Sequence, residues 1–166
     1  MKLIVLALVA GAFVIAAPAG AGGVDGSATG GSQLTVYNVF GLQTLELQVF
    51  GFNARLKADG SADGWFTYRE LDDGSPYTAD GPVTCLTVIG NDAWIGATIE
   101  HSNDPASVGM GSWWHVTDNG EGSSDPRDVT TFLGVGTQER TRAFCSSHPP
   151  YAHPFPIDRG NIQVQG

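Results

Sequence analysis

The sequence predicts an all-β fold, a single antiparallel β-sandwich or small β-barrel of about eight strands. From Gln33 onward, short apolar runs rich in Val, Ile, Thr, Phe and Trp are separated by clusters of Gly, Asn, Asp and Pro, which favour turns between strands. A convincing long helix is missing from the pattern. No segment of about 20 to 50 residues repeats, so a propeller or a solenoid is not expected.

Each strand is predicted from side chains that alternate between two faces. The clearest hairpin covers residues 82–101, where Ala93, Ile95 and Ala97 share one face and Trp94 takes the other. The Gly-Asn-Asp sequence at 90–92 supplies its turn, because these residues tolerate positive φ. The predicted strands are 33–40, 45–57, 64–71, 82–89, 93–101, 111–118, 129–135, 141–146 and 160–165.

The N-terminus has the features of a secretory signal peptide. One cation, Lys2, precedes an apolar run, and small residues at Ala19 and Ala21 suit signal peptidase. The apolar run is short for a membrane span of about 20 residues. We therefore predict a signal peptide at 1–21, a flexible Gly/Ser-rich segment at 22–32 and the all-β domain at 33–166, in a secreted, extracellular protein with no membrane span after cleavage.

The charge balance limits the classes of partner. The chain has 17 Asp and Glu against 8 Lys and Arg, a net charge of −9, and no cluster of basic residues in the sequence. Binding to nucleic acid or to an anionic membrane needs concentrated cationic charge, so neither is expected as a partner. A carbohydrate or a small apolar ligand remains compatible with this composition.

The two cysteines, Cys85 and Cys145, predict a disulfide. A secreted chain enters an oxidising compartment, and two cysteines allow one intramolecular pairing. The bond would close a loop of about 60 residues, which corresponds to roughly 4 kcal/mol of stabilisation in the chain-entropy model.

The stretch "DGSADGWFTYRE" has two interpretations. Asp59, Ser61, Asp63, Gly64 and Glu70 resemble an EF-hand calcium loop in their spacing. However, "GWFTYREL" alternates as a strand does, and an extended strand would carry Glu70 about 20 Å from the turn. We therefore favour a β-hairpin turned by "ADGSADG" over a calcium loop.

A second acidic loop, "TDNGEGSSDPRD", is the preferred place for calcium if the protein binds it. Oxygen-rich loops of this kind bind Ca²⁺ in some extracellular domains, but Asp and Asn also cap their own backbone in ordinary turns. We favour a self-capped turn, and no other cofactor is predicted. The candidate calcium ligands are Asp118, Asn119, Glu121 and Asp125, with Asp128 at the end of the same loop.

Aromatic residues are the other candidates for binding. Rings presented flat on a sheet stack on sugars or small apolar ligands, but the same residues also pack cores, and alternation alone leaves both roles open. Trp65 and Trp94 belong to this group. The predicted candidates for an aromatic-lined cleft are Trp113, Trp114, His115 and Tyr68.

Several motifs in order resemble a group of uncharacterised secreted bacterial β-domain proteins. The motifs are "GPVTCLTVIGNDAWIGATIE", "WWHVTDNGEG", a second Cys in "RAFCS" and a final "RGNIQV". The resemblance covers about residues 50–165. It implies a small secreted β-domain and brings no activity, cofactor or catalytic residues with it.

The sequence shows no catalytic signature. In "GMGSWW", Met110 stands where the first glycine of a nucleophile elbow belongs. The expected function is therefore that of a secreted or cell-surface-associated, non-catalytic β-domain that binds a partner or serves as a structural component. The alternatives are a carbohydrate- or small-molecule-binding barrel, which could be enzymatic, and a calcium-binding extracellular domain.

Overall fold

The computed structural model describes residues 24–37, 45–72, 75–120, 126–151 and 154–166. The predicted all-β fold is confirmed: the described residues form eleven antiparallel strands of one sheet and one α-helix, α1 (Gln138–Ser147). The strands are β1 (Val24–Tyr37), β2 (Leu45–Lys57), β3 (Ala62–Asp72), β4 (Ser75–Ile89), β5 (Asp92–Thr98), β6 (His101–Ser102), β7 (Gly111–Thr117), β8 (Val129–Thr130), β9 (Gly134–Gly136), β10 (Phe155–Pro156) and β11 (Arg159–Gln165).

The sheet curls around one core. Its strand order is β10-β8-β7-β5-β4-β3-β2-β1-β11, with β6 paired to β4 and β9 paired to β7. Ile162 from β11 and Trp114 from β7, which lie toward opposite ends of this order, belong to the same buried cluster. The sheet is therefore barrel-like, with a concave face that encloses the core and a convex outer face.

Alternation along the strands fills the concave face, as predicted. In β2 and β3, Phe50, Phe52 and Phe66 are buried in the core. The predicted hairpin is also confirmed over residues 82–98, because β4 and β5 pair from Ile89 opposite Asp92 outward. The second arm ends at Thr98, before the predicted residue 101, which belongs to β6. Residues Ala93, Ile95, Ala97 and Ile99 are all buried in the same cluster.

The start of the domain corrects the sequence prediction. Residues 24–32, predicted to be flexible, belong to β1, which pairs with β2 on one side and β11 on the other. Their small side chains permit close approach of the neighbouring strand β11: a Cβ atom at Gly30 would lie 2.9 Å from the Asn161 carbonyl oxygen. Strand β4 likewise begins at Ser75 and not at residue 82.

The second correction concerns residues 141–146, which were predicted as a strand and form most of α1. The Thr137 side chain caps this helix by accepting a hydrogen bond from Arg140 N. Thr141, Phe144 and Cys145 are buried, and their spacing of three and four residues puts them on one helical face. A stretch this short does not distinguish that spacing from alternation. Among the described residues, no helix has the length and apolar character needed to cross a membrane.

The predicted disulfide is confirmed and joins α1 to the sheet. Cys85 and Cys145 are bonded, with Cα atoms 6.2 Å apart. An irregularity in β4 between Val83 and Cys85 shifts the register, so Val83 and Leu86 face the core while Cys85 faces outward. Helix α1 therefore lies on the convex face of β4, β5 and β7.

Candidate functional site

The four residues predicted to line an aromatic cleft do not form one site. Trp113 and Trp114 are successive in β7 and face opposite sides of the sheet. Trp114 is fully buried in the core, where its ring centroid lies 5.4 Å from that of Phe66. Tyr68 is also in the core, and its hydroxyl donates a hydrogen bond to Glu70. Trp114 and Tyr68 are therefore packing residues.

Trp113 lies on the convex face, covered by other parts of the chain. A Cβ atom at Gly134 would lie 2.3 Å from the indole, so the backbone of β9 rests directly on the ring. The guanidinium carbon of Arg140 lies 5.0 Å from the ring centroid, and Phe144 packs beside it at 6.3 Å. This coverage makes Trp113 part of the docking surface for α1.

A groove of about 430 Å³ runs along the exposed side of this contact. Its wall includes Pro149, whose carbonyl oxygen accepts a hydrogen bond from Trp94 Nε1 at 3.1 Å. Trp94 and Trp113 are 8 % and 7 % exposed. The groove thus offers ring edges and prolines, and no open indole face.

His115 is buried in the same region. Its ring lies 4.7 Å from that of Trp94 and stacks at 6.4 Å with that of Tyr151. Burial lowers the pKa of His115, and the Asp92 carboxylate partly opposes that shift. Asp92 Oδ1 lies 3.0 Å from His115 Nε2. Burial thus favours the neutral imidazole, which packs as an aromatic ring.

The candidate calcium ligands at Asp118 and Asn119 are engaged by the protein itself. Asp118 Oδ1 accepts a hydrogen bond from Gly120 N, and its Oδ2 accepts one from Val164 N. The Asn119 side-chain amide donates to the Arg127 carbonyl oxygen. Glu121 and Asp125 lie outside the described residues.

Asp128 has a similar arrangement: its Oδ1 accepts a hydrogen bond from Asn119 N, and its Oδ2 accepts one from Ile162 N. Within the described part of the chain, no group of three or more His, Cys, Asp or Glu side chains is placed to hold a metal ion.

The loop at Asp59 is the turn of a β-hairpin, as predicted. Asp59 Oδ1 accepts hydrogen bonds from Ser61 N and Ser61 Oγ, which lower the pKa of that carboxyl group. Strand β3 extends from Ala62, so Asp63 and Glu70 are separated by about 23 Å of extended chain. Glu70 therefore lies too far away to complete a calcium cage.

A different surface presents an accessible indole. The convex side of β11, β1, β2 and β3, here called the tryptophan–arginine face, carries Trp65, which is 37 % exposed. Directly paired residues form three rows across these strands. They are the tryptophan row of Gln163, Thr29, Asn53 and Trp65, the glycine row of Asn161, Gly31, Gly51 and Thr67, and the arginine row of Arg159, Gln33, Val49 and Arg69.

The glycine row forms the floor of a shallow trough. Residues two apart on a strand are separated by about 6.6 Å, so the rows on either side of the glycines are about 13 Å apart. Gly31 and Gly51 are directly opposed and have no side chains of their own. The space over Gly31 is open, whereas the Thr67 side chain leans over Gly51, where a Cβ atom would lie 2.9 Å from Thr67 Oγ1. On one wall, Asn53 Oδ1 accepts a hydrogen bond from Trp65 N, which leaves the Asn53 amide nitrogen as a donor for a ligand.

Alternation correctly placed Trp65 opposite Phe66 in β3, but it did not distinguish Trp65 from the covered tryptophans. Gly31 was missed because it falls in the segment predicted to be flexible. Comparison with known proteins adds no relative: no family model, curated protein or solved structure matches this chain.

Proposed function

We propose that this protein is a secreted, non-catalytic β-domain that binds carbohydrate on its tryptophan–arginine face. The observation that carries the proposal is the exposure of Trp65 at 37 %, whereas Trp94, Trp113 and Trp114 are 8 %, 7 % and 0 % exposed. An accessible indole on a sheet gives a sugar ring a flat apolar surface for stacking.

The surroundings of Trp65 suit a polyhydroxylated ligand. Asn53, Thr67 and Thr29 lie in the same or the adjacent row and supply amide and hydroxyl groups that hydrogen-bond to sugar hydroxyls. The neighbouring glycines leave room for the ring to lie against the sheet. A flat, open surface of this kind favours an extended polymer over a small enclosed molecule.

Secretion is supported by the predicted signal peptide and by the disulfide, which is compatible with an oxidising compartment. A non-catalytic role is supported by the filled concave face, where Trp114 packs against Phe50 and Phe52 at 6.1 and 5.8 Å. Such packing favours an interior that stabilises the fold and an outer face that binds.

Affinity electrophoresis through gels that contain single polysaccharides tests the proposal. The panel would include neutral polymers (β-glucan, xylan, mannan) and acidic ones, with the disulfide-intact protein. We expect the parent to be retarded in at least one gel. Trp65→Ala should lower the affinity for that polymer at least about tenfold. The matched control is Ile89→Ala, since Ile89 is an apolar side chain 51 % exposed away from this face.

Two results would overturn the proposal. One is equal retardation of the parent and Trp65→Ala in every gel. The other is release of soluble reducing sugar from the polymer that binds, because this would show that the protein is an enzyme.

A further inference from the structure

Cationic side chains are concentrated on the tryptophan–arginine face. Four of the chain's 8 Lys and Arg residues, namely Arg55, Lys57, Arg69 and Arg159, occupy its strands, although the chain as a whole has a net charge of −9. By strand alternation Arg55, Arg69 and Arg159 lie on the convex side, and all three are exposed. The face therefore differs in charge from the rest of the molecule.

The salt bridges of nearby acidic groups go to other cations, although Asp63 stands directly opposite Arg55 in the register of β2 and β3. Asp63 pairs with Lys57 at 3.0 Å, and Asp80 pairs with His101 at 2.9 Å. At the edge of the arginine row, Asp158 accepts a hydrogen bond from Thr35 N and lies 3.6 Å from Arg127. Within the described part of the chain, Arg55, Arg69 and Arg159 form no salt bridge.

Gly31 has no structural need to be glycine. Its φ is not positive, and a Cβ atom there would have its nearest neighbour at 3.8 Å, an ordinary contact with the Phe50 carbonyl oxygen. Glycine within a strand costs stability relative to residues with side chains. A strand glycine that neither packing nor backbone conformation requires leaves the backbone open to close approach by a ligand.

The spacing of the charges indicates the shape of that ligand. Arg69 and Arg159 stand at opposite ends of the arginine row, three strand spacings or about 14 Å apart. Trp65 stands across the trough from Arg69. This spacing favours an extended ligand that carries anionic groups at intervals over a single small anion.

We propose that the trough binds an acidic polysaccharide of the polyuronate type, an inference that rests on the proposed function. Sugar rings stack on Trp65 and lie over Gly31, while carboxylates contact Arg69 and Arg159. An acidic peptide fits less well, because extended peptides bind sheets by adding to an edge strand. Nucleic acid fits less well because few unpaired cations are present.

The test measures the affinity of the disulfide-intact protein for polygalacturonate, with dextran as the neutral polymer and polyglutamate as a polyanion without sugar rings. We expect binding to polygalacturonate alone, weakened by added salt because exposed charges are screened. Arg69→Gln and Arg159→Gln should each reduce affinity by about fivefold. Arg142→Gln is the matched control, since Arg142 is an exposed cation on α1.

Gly31→Thr separates binding from folding. A β-branched residue favours the strand, so the melting temperature should be unchanged or higher, while affinity for polygalacturonate should fall at least about tenfold because the trough is filled. Undiminished affinity in Gly31→Thr, or in both arginine variants, would refute the polyuronate site.

The outcomes distinguish the two proposals. Trp65-dependent binding to a neutral polymer, with the arginine variants unaffected, would overturn the acidic ligand and leave carbohydrate binding intact. Equal binding to polyglutamate and polygalacturonate would show that the face binds polyanions without selecting sugar rings, and it would overturn this inference. An absence of any Trp65-dependent binding would overturn both proposals.

Discussion

The Asp128 carboxylate accepts a hydrogen bond from the backbone N–H of Ile162, with Oδ2 and N 2.8 Å apart. Asp128 directly precedes β8, whereas Ile162 is in β11, and these strands are not neighbours in the sheet. Asp118 Oδ2 contacts Val164 N in the same way at 2.9 Å. Two side chains thus provide acceptors along an edge of β11 where a neighbouring strand would otherwise supply carbonyl groups.

Removing the Asp128 carboxylate should destabilise the fold strongly. Asp128 is 5 % exposed and satisfies two backbone donors, Asn119 N and Ile162 N. In Asp128→Ala both N–H groups lose their acceptor, and we expect a loss of about 3 kcal/mol in the free energy of unfolding, measured by urea denaturation. The matched control is Asp63→Ala, which removes only a half-exposed pair with Lys57 and should change stability by about 0.5 kcal/mol or less.

Two variants, Asp118→Ala and Asp63→Ala, separate this structural role from calcium binding. Because the Asp118 and Asp128 oxygens are already hydrogen-bonded, millimolar Ca²⁺ should not raise the melting temperature of the parent relative to chelator. A calcium-dependent rise that disappears in Asp118→Ala would show that the acidic loop holds an ion. A calcium-dependent rise that disappears only in Asp63→Ala would place the calcium site at the β2–β3 turn.

The sequence was most informative where one face of a strand is buried. In that situation alternation separates Phe66 from Trp65 and Ile95 from Trp94, because side chains of opposite faces meet different environments. Residues 24–32 gave no such contrast, since Gly, Ser and Ala provide little apolar surface. Their pairing depends on β2 and β11, which are distant in the chain.

The candidate site was harder to predict for a related reason. Whether a tryptophan on the convex face is open depends on what covers it: α1 covers Trp113, whereas Trp65 is 37 % exposed. Because residues 141–146 were predicted as a strand, this helix was not expected. The opposition of Gly31 and Gly51 follows only from the register of β1 and β2, which single-chain patterns do not specify.

Loss of the disulfide should lower the free energy of unfolding by about 4 kcal/mol in the chain-entropy model, because the two cysteines are 60 residues apart in the sequence. We expect the Cys85→Ala, Cys145→Ala double variant to unfold at lower urea concentration than the parent, and chemical reduction of the parent to reproduce that shift. Packing of Phe144 and the Thr87 hydroxyl bond to the Cys145 carbonyl oxygen should still direct α1 to the sheet. Equal midpoints for oxidised and reduced parent would contradict the expectation.

Two histidines should give opposite contributions to the pH dependence of stability. Burial holds the pKa of His115 below its usual 6.5, so the unfolded chain takes up the proton more readily than the native protein. The hydrogen bond to Asp80, together with the charge of that carboxylate, raises the pKa of His101, so the native protein takes up that proton more readily. Acidification therefore weakens the fold through His115 and strengthens it through His101.

The measurement compares urea denaturation of the parent, His115→Gln and His101→Gln at about pH 7.5 and about pH 5.5, a range that spans ordinary imidazole titration. The stabilising effect of neutral His115 is complete above pH 6.5 and is lost as the pH falls toward its lowered native pKa, so His115→Gln should lose less stability than the parent on acidification. The His101 contribution is present at low pH and is lost as the pH rises through its raised pKa, so His101→Gln should lose more. Identical pH dependence in the parent and His115→Gln would contradict a lowered pKa for His115 in the native protein.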